Sequence, residues 1–278
     1  MTARPLGVFD SGLGGLTVVR ALRRRLPNEP IVYLGDTARV PYGNRSPDTV
    51  LRYARACAKK LTERDIKALV VACNTVSAVA LDMLRVELDL PVIGVVEPGA
   101  RAAIRLAEEL ARNGDARAMR IGVLATASTI ASGAYTRAVG TLSTRFEVMG
   151  RAAPLLVPLV EEGWIEGAVP RLAVERYTGP LVEQDVGVVV LGCTHYPVLK
   201  TLIVEVLGSL AQRPVGVVDS AEATAEAVEE LLGKRELLHD GSRGRSLELL
   251  VTDLPASFSA MAERCLGEAP PRVEQVDL

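Results

Sequence analysis

The sequence predicts an α/β protein of two pseudo-symmetric domains, each on a mainly parallel sheet, with an active site in the cleft between them. Three observations predict this. Short apolar runs rich in β-branched residues alternate with helical patterns from residue 6 onward, as in βαβ units. Two of these runs end on a cysteine with polar residues after it: Ala68-Leu-Val-Val-Ala-Cys-Asn-Thr75 and Val188-Val-Val-Leu-Gly-Cys-Thr-His-Tyr-Pro197. Each is preceded by roughly seventy residues by one of a second matching pair, Leu6-Gly-Val-Phe-Asp-Ser11 and Ile121-Gly-Val-Leu-Ala-Thr126, a duplication far longer than a solenoid repeat. Residues 1–97 with 214–278 are expected to form a discontinuous first domain and 98–213 the second.

Taken in order, residues 6–9 are a buried strand, Asp10-Ser-Gly-Leu-Gly-Gly15 a tight loop, and 16–26 a helix with Leu16, Val19, Leu22 and Leu26 at helical spacing. The loop outlines a phosphate binder but lacks the dinucleotide spacing and the P-loop lysine. Its backbone N–H groups near Ser11 are suited to a carboxylate. Asp10 either meets a cation such as a substrate ammonium or caps the turn. Arg23, Arg24 and Arg25 close the helix, where cations suit its dipole. Residues 31–34 are a second strand, and the long loop 35–44 carries a strong turn signal at Pro41-Tyr-Gly-Asn44. A helix over 47–64 buries Cys57 between alanines.

A third strand carries Cys73. The next helix begins at Asn74 or Thr75 as cap and runs through Val79, Met83 and Leu84. Residues 91–96 are a fourth strand, stopped by Glu97-Pro98, where the chain crosses to the second domain. A helix over 99–113, a strand over 121–124 and the hydroxyl-rich loop Ala125-Thr-Ala-Ser-Thr129 follow, the loop leading into a helix through Tyr135. A strand over 146–149, the apolar run 156–163 closed by Glu161 and Glu162, and a helix over 169–181 lead to the Cys193 strand. Gly192 breaks that strand and Pro197 opens the next helix, placing Cys193 at a helix amino end, which favours a thiolate. Helices over 199–210 and 223–232 flank a strand over 215–221, with the return crossing near Arg213-Pro214. Residues 246–251 and 273–276 are final strands around a helix over 258–266 that holds a structural Cys265. Residues 241–245 are expected to be a surface loop.

Composition narrows the function. With 278 residues, 49% hydrophobic and 24% charged, the chain is long enough for ordinary cores and is not disordered. A net charge of −2 provides no field for nucleic acid, so no nucleic-acid partner is expected. No apolar run reaches membrane length and no apolar stretch precedes Asp10, so neither a membrane partner nor a signal peptide is expected and the location expected is cytoplasmic. The four cysteines include no CxxC pair and only two histidines are present, so no metal is expected.

A pair of thiols facing one another allows a redox disulfide, a metal site, or proton transfer at a carbon from opposite faces. The first lacks its CxxC and the second its further ligands. In the third, one thiolate removes a proton and the opposite thiol returns one, inverting the centre. A free thiol, with a pKa near ~8.5, is a usable base near neutrality. Asp10 and His195 are placed to tune one thiol each, and Glu161 is a candidate to orient His195.

These residues resemble the glutamate racemases of the cofactor-independent aspartate/glutamate racemase superfamily. The shared motifs, in order, are Gly7-Val-Phe-Asp-Ser-Gly-Leu-Gly-Gly15, Gly35-Asp-Thr-Ala-Arg-Val-Pro-Tyr-Gly-Asn44, Val71-Ala-Cys-Asn-Thr75, Gly94-Val-Val-Glu-Pro-Gly99, Val157-Pro-Leu-Val-Glu-Glu-Gly163, Leu191-Gly-Cys-Thr-His-Tyr-Pro197 and Val218-Asp-Ser-Ala221. The resemblance implies interconversion of L- and D-glutamate without a cofactor, supplying D-glutamate for peptidoglycan. It implies that Cys73 takes the α-proton from D-glutamate and Cys193 from L-glutamate, assisted by Asp10 and by His195 respectively, with Glu161 supporting His195. Ser11, Pro41, Tyr42, Gly43, Asn74, Thr75, Thr126, Thr129 and Thr194 match substrate-contacting positions, as do Asp10 and His195, and Asp36 supports the site from behind. The small-molecule substrate is therefore glutamate, and a homodimer is expected. Ala125 departs from the glycine common at its position. The alternatives are a racemase of aspartate or another amino acid, and a non-catalytic regulatory or binding protein on the same fold.

Overall fold

The computed structural model describes residues 4–239, 241, 246–254 and 258–278. The chain divides into two compact units, residues 1–95 with 221–278, and residues 96–220. The expected surface loop at 241–245 lies outside the described residues apart from Gly241.

The first unit begins β1 (Leu6–Asp10), α1 (Leu16–Arg25), β2 (Ile31–Gly35), α2 (Pro47–Thr62), β3 (Ala68–Val71), α3 (Asn74–Val79), α4 (Leu81–Glu87) and β4 (Val92–Gly94). The second unit holds α5 (Val96–Arg112), β5 (Arg120–Ala125), α6 (Ala127–Ser132), α7 (Ala134–Leu142), β6 (Glu147–Ala152), α8 (Leu156–Glu161), α9 (Ala168–Glu183), β7 (Val188–Gly192), α10 (Lys200–Ala211) and β8 (Gly216–Asp219). The chain returns through α11 (Ser220–Lys234) and adds β9 (Leu247–Val251), α12 (Phe258–Leu266) and β10 (Val273–Gln275) to the first unit.

Both sheets are parallel, ordered β10-β9-β2-β1-β3-β4 and β6-β5-β7-β8. The core of each repeats one plan: second strand, first strand, third strand, fourth strand. This is the duplication read from the paired motifs, now visible as connectivity. The chain leaves the first strand to one side and returns on its other side, so the order reverses between β1 and β3 in one unit and between β5 and β7 in the other. Ligands of open α/β sheets bind outside the carboxyl ends of strands at such a reversal. Every residue of β1, β3 and β7 is buried, the pattern of parallel strands covered on both faces.

Several boundaries differ from the sequence reading. β8 pairs with β7, so the chain returns after Ser220, beyond the Arg213-Pro214 expected; strand pairing, not the proline, sets the crossing. The outward crossing falls at Val95–Val96, because Glu97 and Pro98 lie in the first turn of α5, where proline loses no hydrogen bond. The helix expected from Asn74 or Thr75 through Leu84 is two, broken at Ala80. Likewise α6 ends at Gly133, whose φ of +65° is left-handed, before α7 begins. Gly192 does not break its strand: it is the last residue of β7, opposite Ala125 of β5. A Cβ there would lie 3.0 Å from the Ala125 Cβ and 3.1 Å from the Tyr135 ring. The glycine therefore makes room for the Ala125 methyl.

The arginines closing α1 each find an acid: Arg23 pairs with Glu268, Arg24 with Glu222 at 2.5 Å and Arg25 with Glu229 at 2.6 Å. Cys57 and Cys265 are buried in the core, as expected of structural cysteines. No helix is long and apolar enough to cross a membrane.

Candidate active site

In the first unit the side chains gather where β1 and β3 end. Asp10, the last residue of β1, turns its carboxylate into the loop it opens: Oδ2 accepts from Gly12 N at 3.1 Å and Gly15 N at 3.0 Å. The glycine loop is therefore filled by its own aspartate, and these two N–H groups are not offered to a substrate carboxylate. Gly15 is required by the same packing, because a Cβ there would lie 2.4 Å from the Asp10 Cβ. Tyr33 of β2 donates its hydroxyl to Gly12 O at 2.6 Å and holds the loop from below. Its phenol is pushed up by burial, with Asp10, Cys265 and Cys73 adding to the effect.

Cys73 stands just after β3 as the cap residue of α3, so Asn74 and Thr75 occupy that helix's first turn and neither is the cap. Cys73 Sγ lies 3.5 Å from Ser11 Oγ, which joins the first-strand loop to the third-strand thiol. Cys73, Asn74, Thr75 and Ser11 are all buried. Behind them Asp36, also fully buried, donates its backbone N–H to Asp10 O at 3.1 Å. Its carboxylate receives Arg39 Nε at 2.6 Å, the Tyr42 hydroxyl, and Thr252 Oγ1 at 2.8 Å. Pro41 precedes a single 3-10 turn, Tyr42–Asn44, in which Tyr42 and Gly43 are buried. Asp36 thus engages the Tyr42 hydroxyl, leaving the Tyr42 side chain turned to the carboxylate.

The second unit repeats the layout with different side chains. Ala125 ends β5 where Asp10 ends β1. Thr126 follows and caps α6, its Oγ1 accepting from Thr129 N at 3.3 Å and lying 3.0 Å from Thr129 Oγ1. Cys193 follows β7. The segment after it is a tight turn, Tyr196 N to Cys193 O at 3.1 Å, then a 3-10 turn over Tyr196–Leu199. Pro197 lies inside that turn, and α10 begins only at Lys200. The expected helix amino end is thus not at Cys193. The charge beside this sulfur comes from His195 instead.

His195 Nδ1 lies 3.8 Å from Cys193 Sγ, and its Nε2 lies 3.2 Å from Glu161 Oε1 at the end of α8. Burial works against a charged ring, yet the bonds to Cys193 and Glu161 outweigh it and raise His195 to about 10. An imidazolium is therefore held beside the thiol at neutral pH, and such a neighbour stabilises negative charge on sulfur. Tyr196 fixes the turn by donating to Ala153 O at 2.7 Å. Thr194 is buried beside the pair.

The two cysteines thus have unlike surroundings, the Ser11 hydroxyl for Cys73 and a histidine–glutamate pair for Cys193. Among the described residues, no group of three or more His, Cys, Asp or Glu side chains is arranged to hold a metal ion. Sequence reasoning missed Tyr33, Arg39, Tyr196 and Thr252. Only Thr252 had a readable signal: like Cys73, it is a polar residue immediately after an apolar strand.

Comparison with known proteins identifies the family of the chain as a whole. Residues 16–228 match the family model described as Asp/Glu/Hydantoin racemase. A glutamate racemase of Geobacter metallireducens is 46% identical over 278 residues, covering 100% of this chain and 98% of that protein. The structure of glutamate racemase isoform RacE1 from Bacillus anthracis superposes with a TM-score of 0.90 at 38% identity, covering 100% of this chain and 99% of that one. Glutamate racemase from Francisella tularensis in complex with D-glutamate gives 0.87 at 33% identity, covering 99% and 97%.

Proposed function

The chain belongs to the Asp/Glu/Hydantoin racemase family, and from that premise we propose that it interconverts L- and D-glutamate by two-base proton transfer at Cα, with Cys73 and Cys193 as the bases. The observation that carries this reading is the repeated strand plan that delivers one thiol after the third strand of each unit, both sulfur-bearing residues only 5% exposed. Racemisation needs one proton acceptor and one proton donor on opposite faces of one carbon, and a thiol in the equivalent topological position of each unit supports that assignment.

In the proposed cycle Cys193 takes the α-proton of L-glutamate as thiolate, and the Cys73 thiol donates a proton to the other face; the D-enantiomer runs the reverse. His195, held charged by its bonds to Cys193 and Glu161, can act with Cys193 as an acid–base pair. Asp10 is the acid–base partner proposed for Cys73, and Ser11 Oγ accepts a hydrogen bond from the Cys73 thiol at 3.5 Å. Asn74, Thr75, Thr126, Thr129, Thr194 and the Pro41–Gly43 backbone hold the substrate's carboxylates and ammonium. The product D-glutamate would enter peptidoglycan. Four free thiols fit a reducing compartment, consistent with a cytoplasmic location. The proposal extends to a homodimer, tested by the mass of the protein in solution.

Proton exchange in D2O tests the proposal. With either glutamate enantiomer, deuterium should appear at Cα of the opposite one. Cys73→Ser and Cys193→Ser should each abolish turnover, and L-aspartate should stay unexchanged. Exchange of aspartate in place of glutamate would move the substrate, and no exchange from any amino acid would overturn the enzymatic reading.

A further inference from the structure

The first unit carries more sheet than the shared plan requires: β9 and β10 extend it beyond β2. The end of β9 does more than widen the sheet. Thr252, its next residue, uses both halves of its hydroxyl. It donates to Asp36 Oδ1 at 2.8 Å and accepts the Ala38 N–H at 2.9 Å. Its own N–H bonds Gly35 O at 3.2 Å. Thr37 and Asp253 close a second rung, Thr37 Oγ1 donating to Asp253 O at 2.5 Å and accepting from Asp253 N at 2.8 Å. Residues 35–38 are therefore strapped to residues 252–253, more than two hundred positions downstream.

The strap bears on the segment after it. Asp36 is a fully buried carboxylate whose position depends on the donors that surround it. Thr252 holds one oxygen, while Arg39 Nε and the Tyr42 hydroxyl share the other. Burial, with Cys57 and Asp36 adding, pushes the Tyr42 phenol up, so it remains a donor. Tyr53 packs under the same cluster, its ring centroid 4.2 Å from the Arg39 guanidinium carbon and 5.3 Å from the Tyr42 ring. The Tyr42 side chain is thus an anchor, and the place of the Pro41–Gly43 backbone follows from where Asp36 sits.

We propose that Thr252 is a positioning residue for substrate binding: by fixing Asp36 it sets the Pro41–Gly43 backbone against the substrate. This rests on the assignment of Pro41, Tyr42 and Gly43 to the substrate under the proposed function. Thr252 touches no reacting atom in this account, so its loss acts on binding more than on turnover.

The test compares Thr252→Val, which keeps the shape and removes both hydrogen bonds, with Thr252→Ser, which keeps both. The valine variant should raise KM for both glutamate enantiomers by about tenfold, the order expected for a lost bond to a buried carboxylate, with kcat within about threefold. The serine variant should restore the wild-type KM. Thr252→Ala carries the same test should valine not fold. Amide hydrogen exchange at Tyr42 and Gly43 is read on the same proteins, faster in the valine and alanine variants and unchanged in the serine. An unchanged KM in a wild-type-active background, or equal losses of kcat and kcat/KM that serine does not rescue, would overturn the proposal. If the wild-type chain racemises nothing, the parent reading falls, and the exchange data alone decide whether Thr252 holds this segment.

Discussion

Replacing Gly15 by alanine isolates the packing that holds Asp10. Gly15 has φ −62° and ψ −14°, ordinary right-handed backbone that alanine adopts freely, so any loss is steric. The new Cβ would lie 2.4 Å from the Asp10 Cβ, 2.9 Å from its Cγ and 3.1 Å from the Tyr33 hydroxyl. Carbon atoms in contact sit at about 3.5–4.0 Å, so the aspartate must retreat by roughly 1 Å. A retreat of that size breaks the 3.0 and 3.1 Å bonds from Gly15 N and Gly12 N. Each bond to a charged group contributes about 1.5–3 kcal/mol, while alanine returns about 0.4–1 kcal/mol by restricting the unfolded chain. The net expectation is a loss on the order of 3 kcal/mol, which for a domain of this size lowers Tm by roughly 6–12 °C. If Asp10 partners Cys73 as proposed, displacing it by about 1 Å should also lower kcat by roughly a hundredfold. Differential scanning calorimetry and a circular-dichroism racemisation assay on Gly15→Ala measure both. Gly208→Ala is the control: in α10, with nothing within 4 Å of its Cβ, it should stabilise by up to about 1 kcal/mol. A Gly15→Ala protein that melts and turns over like wild type would refute the account of the loop.

Three further outcomes are expected. His195 is raised to about 10 in the folded chain against about 6.5 in the unfolded one. Its contribution to stability should therefore be complete below about pH 6.5 and lost as pH rises through about 10. Urea midpoints across that range should fall for wild type and flatten for His195→Asn. Glu161→Gln should move the His195 ring titration to lower pH, readable by NMR because the chain has only two histidines; an unmoved titration would remove Glu161 from the site. Lys67 and Glu29 form a buried ion pair at 2.5 Å, their side chains 1% and 3% exposed. Lys67 Nζ also donates to Leu237 O at 2.7 Å, and Glu29 Oε1 accepts from His239 N at 2.7 Å. Glu29→Ala should destabilise by about 3–5 kcal/mol, because it strands a buried charge; a denaturation midpoint near wild type would contradict that.

The sequence by itself determined the parallel α/β class, the duplication, and the strand ends where chemistry gathers. Burial on both faces makes parallel strands read as continuous apolar runs, so the polar residues that follow Phe9, Ala72 and Gly192 stand out against them. Pairing and packing decided the rest. That β8 belongs with β7, that α10 starts only at Lys200, and that α3 stops before α4 depend on hydrogen-bond partners no local signal names. The partners inside the site are of the same kind. Glu161 reaching His195 from α8 and Thr252 closing on Asp36 are contacts between residues far apart in the chain. They exist because parallel strands bring their carboxyl ends to one edge of a sheet, a juxtaposition that appears only once the chain has folded.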